Sequence, residues 1–96
     1  MHAAALRLEL RIPNVRSLKE KRHRLKSLMS QLTNTFPVAV SEVGFQDQWQ
    51  RATIGVALVA PQSGHLDRLV HSVRRLVDQQ TEVELLDVGI AYLEES

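Results

Sequence analysis

Residues 3–12, AAALRLELRI, alternate between apolar and polar side chains, and this pattern limits the possible fold more than any other feature of the chain. Successive residues of an extended chain point to opposite faces, so the segment has one apolar and one charged face. That arrangement is typical of a strand with one side buried and the other in water. Pro13-Asn14 predicts the end of the strand. The apolar face consists of Leu6, Leu8, Leu10 and Ile12.

A helix is predicted after this strand. Ser17-Leu18-Lys19-Glu20 has the spacing of a capping box, in which the Ser17 hydroxyl accepts from the Glu20 amide and the Glu20 carboxylate accepts from the Ser17 amide. Apolar residues at helical spacing predict that the helix continues to about Thr35, and Pro37 prevents it from going further. The apolar stripe consists of Leu18, Leu25, Leu28, Met29, Leu32 and Phe36.

Two β-rich runs and a second helix come next. Residues 38–45 and 52–60 are separated by a polar connection at 46–51, which predicts a β-hairpin. Pro61-Gln62-Ser63-Gly64 then opens a helix with a single apolar stripe. That stripe consists of Leu66, Leu69, Val70, Val73, Leu76 and Val77.

Residues 82–93 predict a fourth strand, with a bulge near Asp87 and Gly89, where the alternation is imperfect. Residues 94–96 predict a frayed end. The order is therefore β-α-β-β-α-β, and because each helix has one apolar stripe, both should cover the same face of a four-stranded antiparallel sheet. We predict an α+β, ferredoxin-like fold, with the first and third strands central and residues 1–96 forming a single domain.

The chain lacks the sequence features of an enzyme or a metalloprotein. It has no cysteine, which excludes disulfides, thiolate metal sites and cysteine nucleophiles. It has no Gly-rich phosphate loop and no G-x-S-x-G motif, and its four histidines do not have the spacing of metal ligands. Glu42, in the first run, and Asp47, in the connection, could form an acid–base pair, but nothing nearby in the sequence indicates a partner or a pocket. We predict a protein without catalytic residues, cofactor or metal.

The sequence also predicts a cytoplasmic protein that does not bind membranes. No segment approaches the roughly 20 apolar residues that a membrane span requires. The N-terminus has the strand pattern instead of the basic and then apolar stretch of a signal peptide.

Charge is distributed unevenly along the chain. Residues 1–41 contain eight Lys/Arg and two Glu, a balance of +6, whereas residues 42–96 contain four Lys/Arg and nine acids, a balance of −5. Six of the twelve basic residues lie within residues 16–26, at the start of the first helix. Helix N-termini have a partial positive charge, so crowded cations are unfavourable there unless an anion binds.

This basic segment predicts phosphate contacts with structured RNA or with a ribonucleoprotein surface. The contacting residues would be Arg16, Lys19, Lys21, Arg22, Arg24 and Lys26. The alternative is a solvated helix face, in which Lys21 and Arg22 lay their aliphatic stems over the edge of the core.

Trp49 is the only tryptophan, and it lies in the polar connection of the hairpin. It is either an exposed residue that assists RNA binding together with Arg51, or a structural plug folded over the hairpin. Two known modes of RNA binding are excluded. The central strands have no aromatic residue for base stacking of the RNA-recognition-motif kind, and the chain has no GXXG loop of the KH kind.

The outward face of the third strand suggests an alternative function. If Ile54, Val56 and Leu58 face the helices, the residues between them form a flat, weakly apolar surface. Such a surface often accepts another sheet or a partner, which predicts a homo-oligomeric protein-interaction module, such as a homodimer, with no role in nucleic-acid binding. The interface residues would be Thr53, Gly55, Ala57 and Val59.

Four segments of this chain together resemble those of a known family. They are L-R-L-E-L-R-I-P at 6–13, R-S-L-K-E-K-R at 16–22, Q-D-Q-W-Q-R-A-T-I-G-V-A at 46–57 and E-L-L-D-V at 84–88. In these segments the chain resembles the YlxP-like bacterial family, a family of unknown function, over nearly its whole length. The resemblance implies a ferredoxin-like fold and a cytoplasmic protein whose genes commonly lie beside those of translation and ribosome-maturation factors. It implies no established activity and no catalytic residues.

Overall fold

Six elements follow one another in the predicted order within residues 1–95, the part of the chain that the computed structural model describes. Each boundary lies within about two residues of the position expected from the pattern of side chains. The elements are β1 (His2–Arg11), α1 (Leu18–Thr35), β2 (Val38–Gly44), β3 (Arg51–Ala60), α2 (Ser63–Asp78) and β4 (Glu84–Glu94).

The four strands form one antiparallel sheet in the order β2-β3-β1-β4. The long central strands β1 and β3 pair over their whole length, from His2 opposite Ala60 to Arg11 opposite Arg51. Both helices pack on one face of this sheet and contact each other. The predicted α+β, ferredoxin-like arrangement with β1 and β3 in the centre is therefore confirmed.

The core lies between the helices and the face of the sheet that carries the alternating apolar residues of β1. Leu8, Leu10 and Ile12 are completely buried there, as are Ile54 of β3 and Val73 of α2. Full burial of a side chain of this size contributes about 1.5–3 kcal/mol to folding.

The start of α1 confirms half of the predicted capping box. The Ser17 hydroxyl accepts from the Glu20 amide at 3.1 Å. The Glu20 carboxylate accepts from the amide of Arg16 at 3.2 Å, and not from the amide of Ser17 as predicted. The helix ends before Phe36, whose amide donates to the Leu32 carbonyl, and Pro37 follows.

Two bulges interrupt the ladders of the edge strands. One lies in β4, where Glu9 is opposite Asp87 and Leu10 is opposite Leu85, close to the predicted position. The other lies at Val43 in β2 and was not predicted.

The end of β4 is more ordered than the sequence suggested. Glu94 belongs to the strand, and the Glu95 amide donates to the Met1 carbonyl at 2.9 Å. The prediction of fraying is wrong for these two residues, because pairing with the start of β1 extends to them, and Ser96 lies outside the described residues. Neither described helix has a run of apolar residues that could cross a membrane.

Candidate nucleic-acid interface

Four of the six cations in the basic segment are exposed on α1 or immediately before it. These side chains have no carboxylate within 4.0 Å among residues 1–95. Arg22 and Lys26 line a shallow groove between α1 and β2, with Met29 and Val40 as its apolar lining. The four exposed cations, which we call the cation row, are Arg16, Lys19, Arg22 and Lys26.

Arg24 is only partly accessible. Its guanidinium donates to the Pro13 carbonyl at 2.9 Å, which ties α1 to the connection that precedes it. The predicted phosphate contact of Arg24 would compete with this hydrogen bond. The accessible positive charge therefore belongs mainly to the cation row.

Lys21 is not on the surface, and its prediction as a phosphate contact is wrong. Its side chain is 1% exposed, and the ammonium lies 3.0 Å from Glu42 Oε2 of β2 and donates to the Phe45 carbonyl at 2.5 Å. Burial of an ammonium group is costly unless partners replace its water, and here a carboxylate and a carbonyl do so. The Lys21–Glu42 pair joins the start of α1 to the end of β2.

The position of Lys21 was recognisable from its spacing. Lys21 precedes Leu25, Leu28 and Leu32 by four, seven and eleven residues, and all four are buried on the same stripe of α1. The lysine therefore continues the apolar stripe by one turn. The charge of Lys21 led to its prediction as a phosphate contact, whereas its helical spacing indicates a buried position.

Residues 45–50 connect β2 and β3, and we call them the aromatic loop. Phe45 begins the loop with a positive φ of 57°. Its carbonyl accepts from the amide of Gln48 at 3.0 Å as well as from Lys21. The Arg51 guanidinium lies 4.6 Å from the centroid of the Phe45 ring, a cation–π contact.

Trp49 is exposed. Half of its surface, 51%, remains accessible, so the interpretation of Trp49 as a plug over the hairpin is wrong. Trp49 follows a turn at residues 45–48, which is closed by the bond from the Gln48 amide to the Phe45 carbonyl.

Arg51 has mainly structural contacts. In addition to its position over Phe45, its guanidinium lies 3.9 Å from Glu9 Oε2 on the outward face of the sheet. The side chain is partly buried, which limits the auxiliary contact with RNA that was predicted for it. Phe45 was not singled out from the sequence, although it is the residue that Arg51 and Lys21 both contact.

The aromatic loop and the basic segment meet at one end of the molecule. The amide of Ile12 donates to the Gln50 carbonyl at 2.9 Å, and the Gln50 side-chain amide donates to the Val15 carbonyl at 3.3 Å. These bonds dock the loop against the connection between β1 and α1. Segments more than 20 positions apart in the sequence are thus brought to the same end of the molecule.

The predicted dimer face is only partly exposed. Thr53 is 6% exposed and its hydroxyl donates to Glu9 Oε1 at 2.6 Å, so its prediction as an interface residue is wrong. Gly55 lies beneath the side chain of Val43, which would be 3.3 Å from a Cβ atom at that position. Ala57 and Val59 are exposed as predicted.

A row of alanines extends this face across the whole sheet. Ala57 of β3 is opposite Ala39 of β2 and Ala5 of β1, and Ala5 is opposite Ala91 of β4. All four are exposed. The outward face is therefore flat and apolar in the half of the sheet that is remote from the aromatic loop.

Comparisons with known proteins identify the family. A model described as "Protein of unknown function (DUF503)" matches residues 3–90. The Bacillus subtilis (strain 168) protein named "Uncharacterized protein YlxP" is 38% identical over 68 residues, which cover 71% of this chain and 74% of that protein. The chain belongs to the DUF503 family. The YlxP-like resemblance seen in the sequence is thereby confirmed, and the cation row and the aromatic loop both lie within the residues that the DUF503 model matches.

One solved structure aligns with this DUF503 member over nearly the whole chain. "De novo designed protein Foldit4" aligns with a TM-score of 0.47 and 10% identity, over 98% of this chain and 99% of that one.

Within residues 1–95, no three His, Asp or Glu side chains are grouped as they would be around a metal ion.

Proposed function

We propose that this protein is a non-enzymatic, cytoplasmic module that binds structured RNA, alone or on a ribonucleoprotein surface, through the cation row. The supporting observation is that four cations are exposed at the start of α1 without an acidic partner in the described part of the chain. Glu20 is the only acid in α1, and its carboxylate accepts from a backbone amide. Glu42 lines the groove beside Arg22 and Lys26 but is paired with Lys21, and Glu82 lines a second groove with Lys19, so the cations of this surface outnumber its acids.

The spread of the cation row favours a polyanion over a small anion. Lys19 and Lys26 are seven residues apart, which corresponds to about 10 Å along a helix axis. One small anion cannot contact both ends of such a row, whereas successive phosphates of a nucleic acid can. The positive end of the helix adds to the attraction, so the repulsion among the cations is relieved when phosphates bind.

Binding of the wild-type protein to an RNA hairpin should depend steeply on salt. If all four cations of the row contact phosphates, the plot of log K against log salt concentration should have a slope of roughly −3 to −4, at about 0.7–0.9 per contact. Fluorescence anisotropy with a labelled hairpin at several salt concentrations measures this slope. No binding at 50 mM salt, or a slope near zero, would contradict the proposed function.

Self-association through the outward face of the sheet is a second candidate function. The alanine row is flanked by exposed Val59 and Leu93, so an apolar surface is left open to water. The other half of this face has three arginines and three acids and is electrically balanced, so a second copy is not repelled. A second copy of the same chain is the occupant that we propose, with its own alanine row against this one. The charged residues of the balanced half are Arg7, Arg11, Arg51, Glu9, Glu84 and Asp87.

Replacing Ala57 with glutamate should abolish this self-association, because it introduces two carboxylates into a symmetric apolar contact. We expect the wild type to sediment as a dimer at micromolar concentration and Ala57→Glu as a monomer. Gln79→Glu, an exposed substitution at the end of α2, is the control and should remain a dimer. A monomeric wild type at these concentrations would exclude the second function.

A further inference from the structure

The aromatic loop concentrates exposed aromatic surface beside the cation row. The chain has only four Phe, Trp and Tyr residues, and two of them lie in this loop. Phe45 is 39% exposed and Trp49 is 51% exposed. Neither ring is required to fill the core, which is composed of aliphatic side chains.

The conformation of the loop is held by several independent contacts. A positive φ is unfavourable for a bulky residue such as Phe45, and it persists only where the surroundings determine it. The hydrogen bonds from Lys21 and Gln48 hold the carbonyl of Phe45, and the Arg51 guanidinium lies over its ring. At the other end of the loop, Gln50 is bonded through its carbonyl and its side chain to the connection before α1. A loop organised in this way loses little conformational freedom when it binds a ligand.

On the basis of the RNA-binding function proposed above, we propose that the aromatic loop stacks on an unpaired base of the RNA whose phosphates contact the cation row. The bases of an intact duplex are stacked on one another, whereas an unpaired base can turn outwards and stack on an aromatic side chain. Stacking of this kind tolerates any base, because every base has a π-face. The preferred ligand is therefore a structured RNA with an unpaired nucleotide next to a helical segment.

The test compares two RNA duplexes of equal phosphate number, one fully paired and one with a bulge of unpaired nucleotides. We expect the wild type to bind the bulged RNA roughly tenfold more tightly, the size of effect typical for one stacked base. Trp49→Ala should lose this preference and keep the salt dependence of binding, whereas Trp49→Phe should retain the preference. Phe45→Leu, which removes the ring but keeps an apolar side chain, should also reduce the preference.

Trp49 provides a direct signal as well, because it is the only tryptophan in the chain. Its fluorescence should be quenched when the bulged RNA is added and should change little with the paired duplex. Quenching reports on stacking at this residue and does not depend on the measured affinity.

The possible outcomes separate this inference from the proposed function. Equal affinity for the two RNAs with no quenching would overturn the stacking site and leave the binding of RNA by the cation row intact. Failure to bind either RNA would remove the proposed function, and the stacking site with it. If Trp49→Ala weakens both complexes equally and also lowers the free energy of unfolding, the indole is a structural residue and the inference is wrong.

Discussion

Replacing Lys21 with methionine is expected to lower the free energy of unfolding by about 2–4 kcal/mol, somewhat less than is typical for breaking a completely buried pair. The expected loss is smaller because the Glu42 side chain is 22% exposed and can recover part of its hydration. Methionine is similar in size to the aliphatic stem of lysine but leaves the Glu42 carboxylate and the Phe45 carbonyl without the ammonium. Chemical denaturation in urea, followed by circular dichroism, measures the difference. A domain of this size typically has about 5–15 kcal/mol of stability, so the variant should still fold.

A double-mutant cycle distinguishes loss of the ion pair from loss of packing. Lys21→Met combined with Glu42→Leu should recover much of the stability, because an apolar pair replaces the ionic pair, and the coupling energy should be about 1–3 kcal/mol. Lys26→Met is the matched control on the exposed side of α1 and should change stability by no more than about 0.5 kcal/mol. The role assigned to Lys21 is wrong if Lys21→Met and Lys26→Met unfold at the same urea concentration.

The second large effect is expected when three cations of the row are removed together. Lys19→Gln, Arg22→Gln and Lys26→Gln in one chain should shrink the salt slope by about two to three units. At 0.1 M salt this corresponds to a loss of affinity on the order of a hundredfold, because each phosphate contact contributes a factor of roughly 5–8 there. Glutamine is a good helix former, and relief of repulsion near the positive helix end should keep the fold as stable as before or slightly more so.

The matched control removes three exposed cations from the other helix. Arg68→Gln, Arg74→Gln and Arg75→Gln in α2 change the net charge by the same amount and lie outside the cation row. Anisotropy titrations of both triple variants with the same hairpin should show a much smaller loss for the α2 variant. Equal losses would indicate diffuse electrostatic attraction without a defined site.

The fold was predictable because its determinants are local. The alternation in residues 3–12 involves positions two apart, and the stripes of the two helices involve positions three or four apart. Ser17 is likewise a local signal for the start of α1. With these elements in place, few topologies bury all the apolar faces at once. The order of the strands followed from that constraint.

The site was less predictable because its determinants are distant in the sequence. Lys21 is buried against Glu42 and Phe45, which are more than 20 residues away, and the unpredicted bulge at Val43 lies between these two partners. Composition identified a cluster of cations but could not separate the paired lysine from the free ones. The stripe formed with Leu25 shows that helical spacing, when applied to charged residues as well as apolar ones, recovers this distinction.

The exposure of residues on the sheet and in the loop was also hard to predict, because it depends on contacts between residues that are distant in the sequence. Thr53 has the outward position that alternation predicts, yet Glu9 of the neighbouring strand covers it, and only the register between β1 and β3 reveals this contact. For Trp49 the sequence left two interpretations open. The structure decides between them, because half of the Trp49 surface is exposed.

Met1 and Glu95 pair at the end of β1 that is opposite the proposed RNA-binding surface. The Met1 amino group donates to the Glu95 carbonyl at 2.6 Å, beside the start of β1, whereas the aromatic loop docks beyond its last residue. The ten residues of β1 span roughly 30 Å. A bulky dye attached to Met1 or Glu95 would therefore lie at the opposite end of β1 from the aromatic loop.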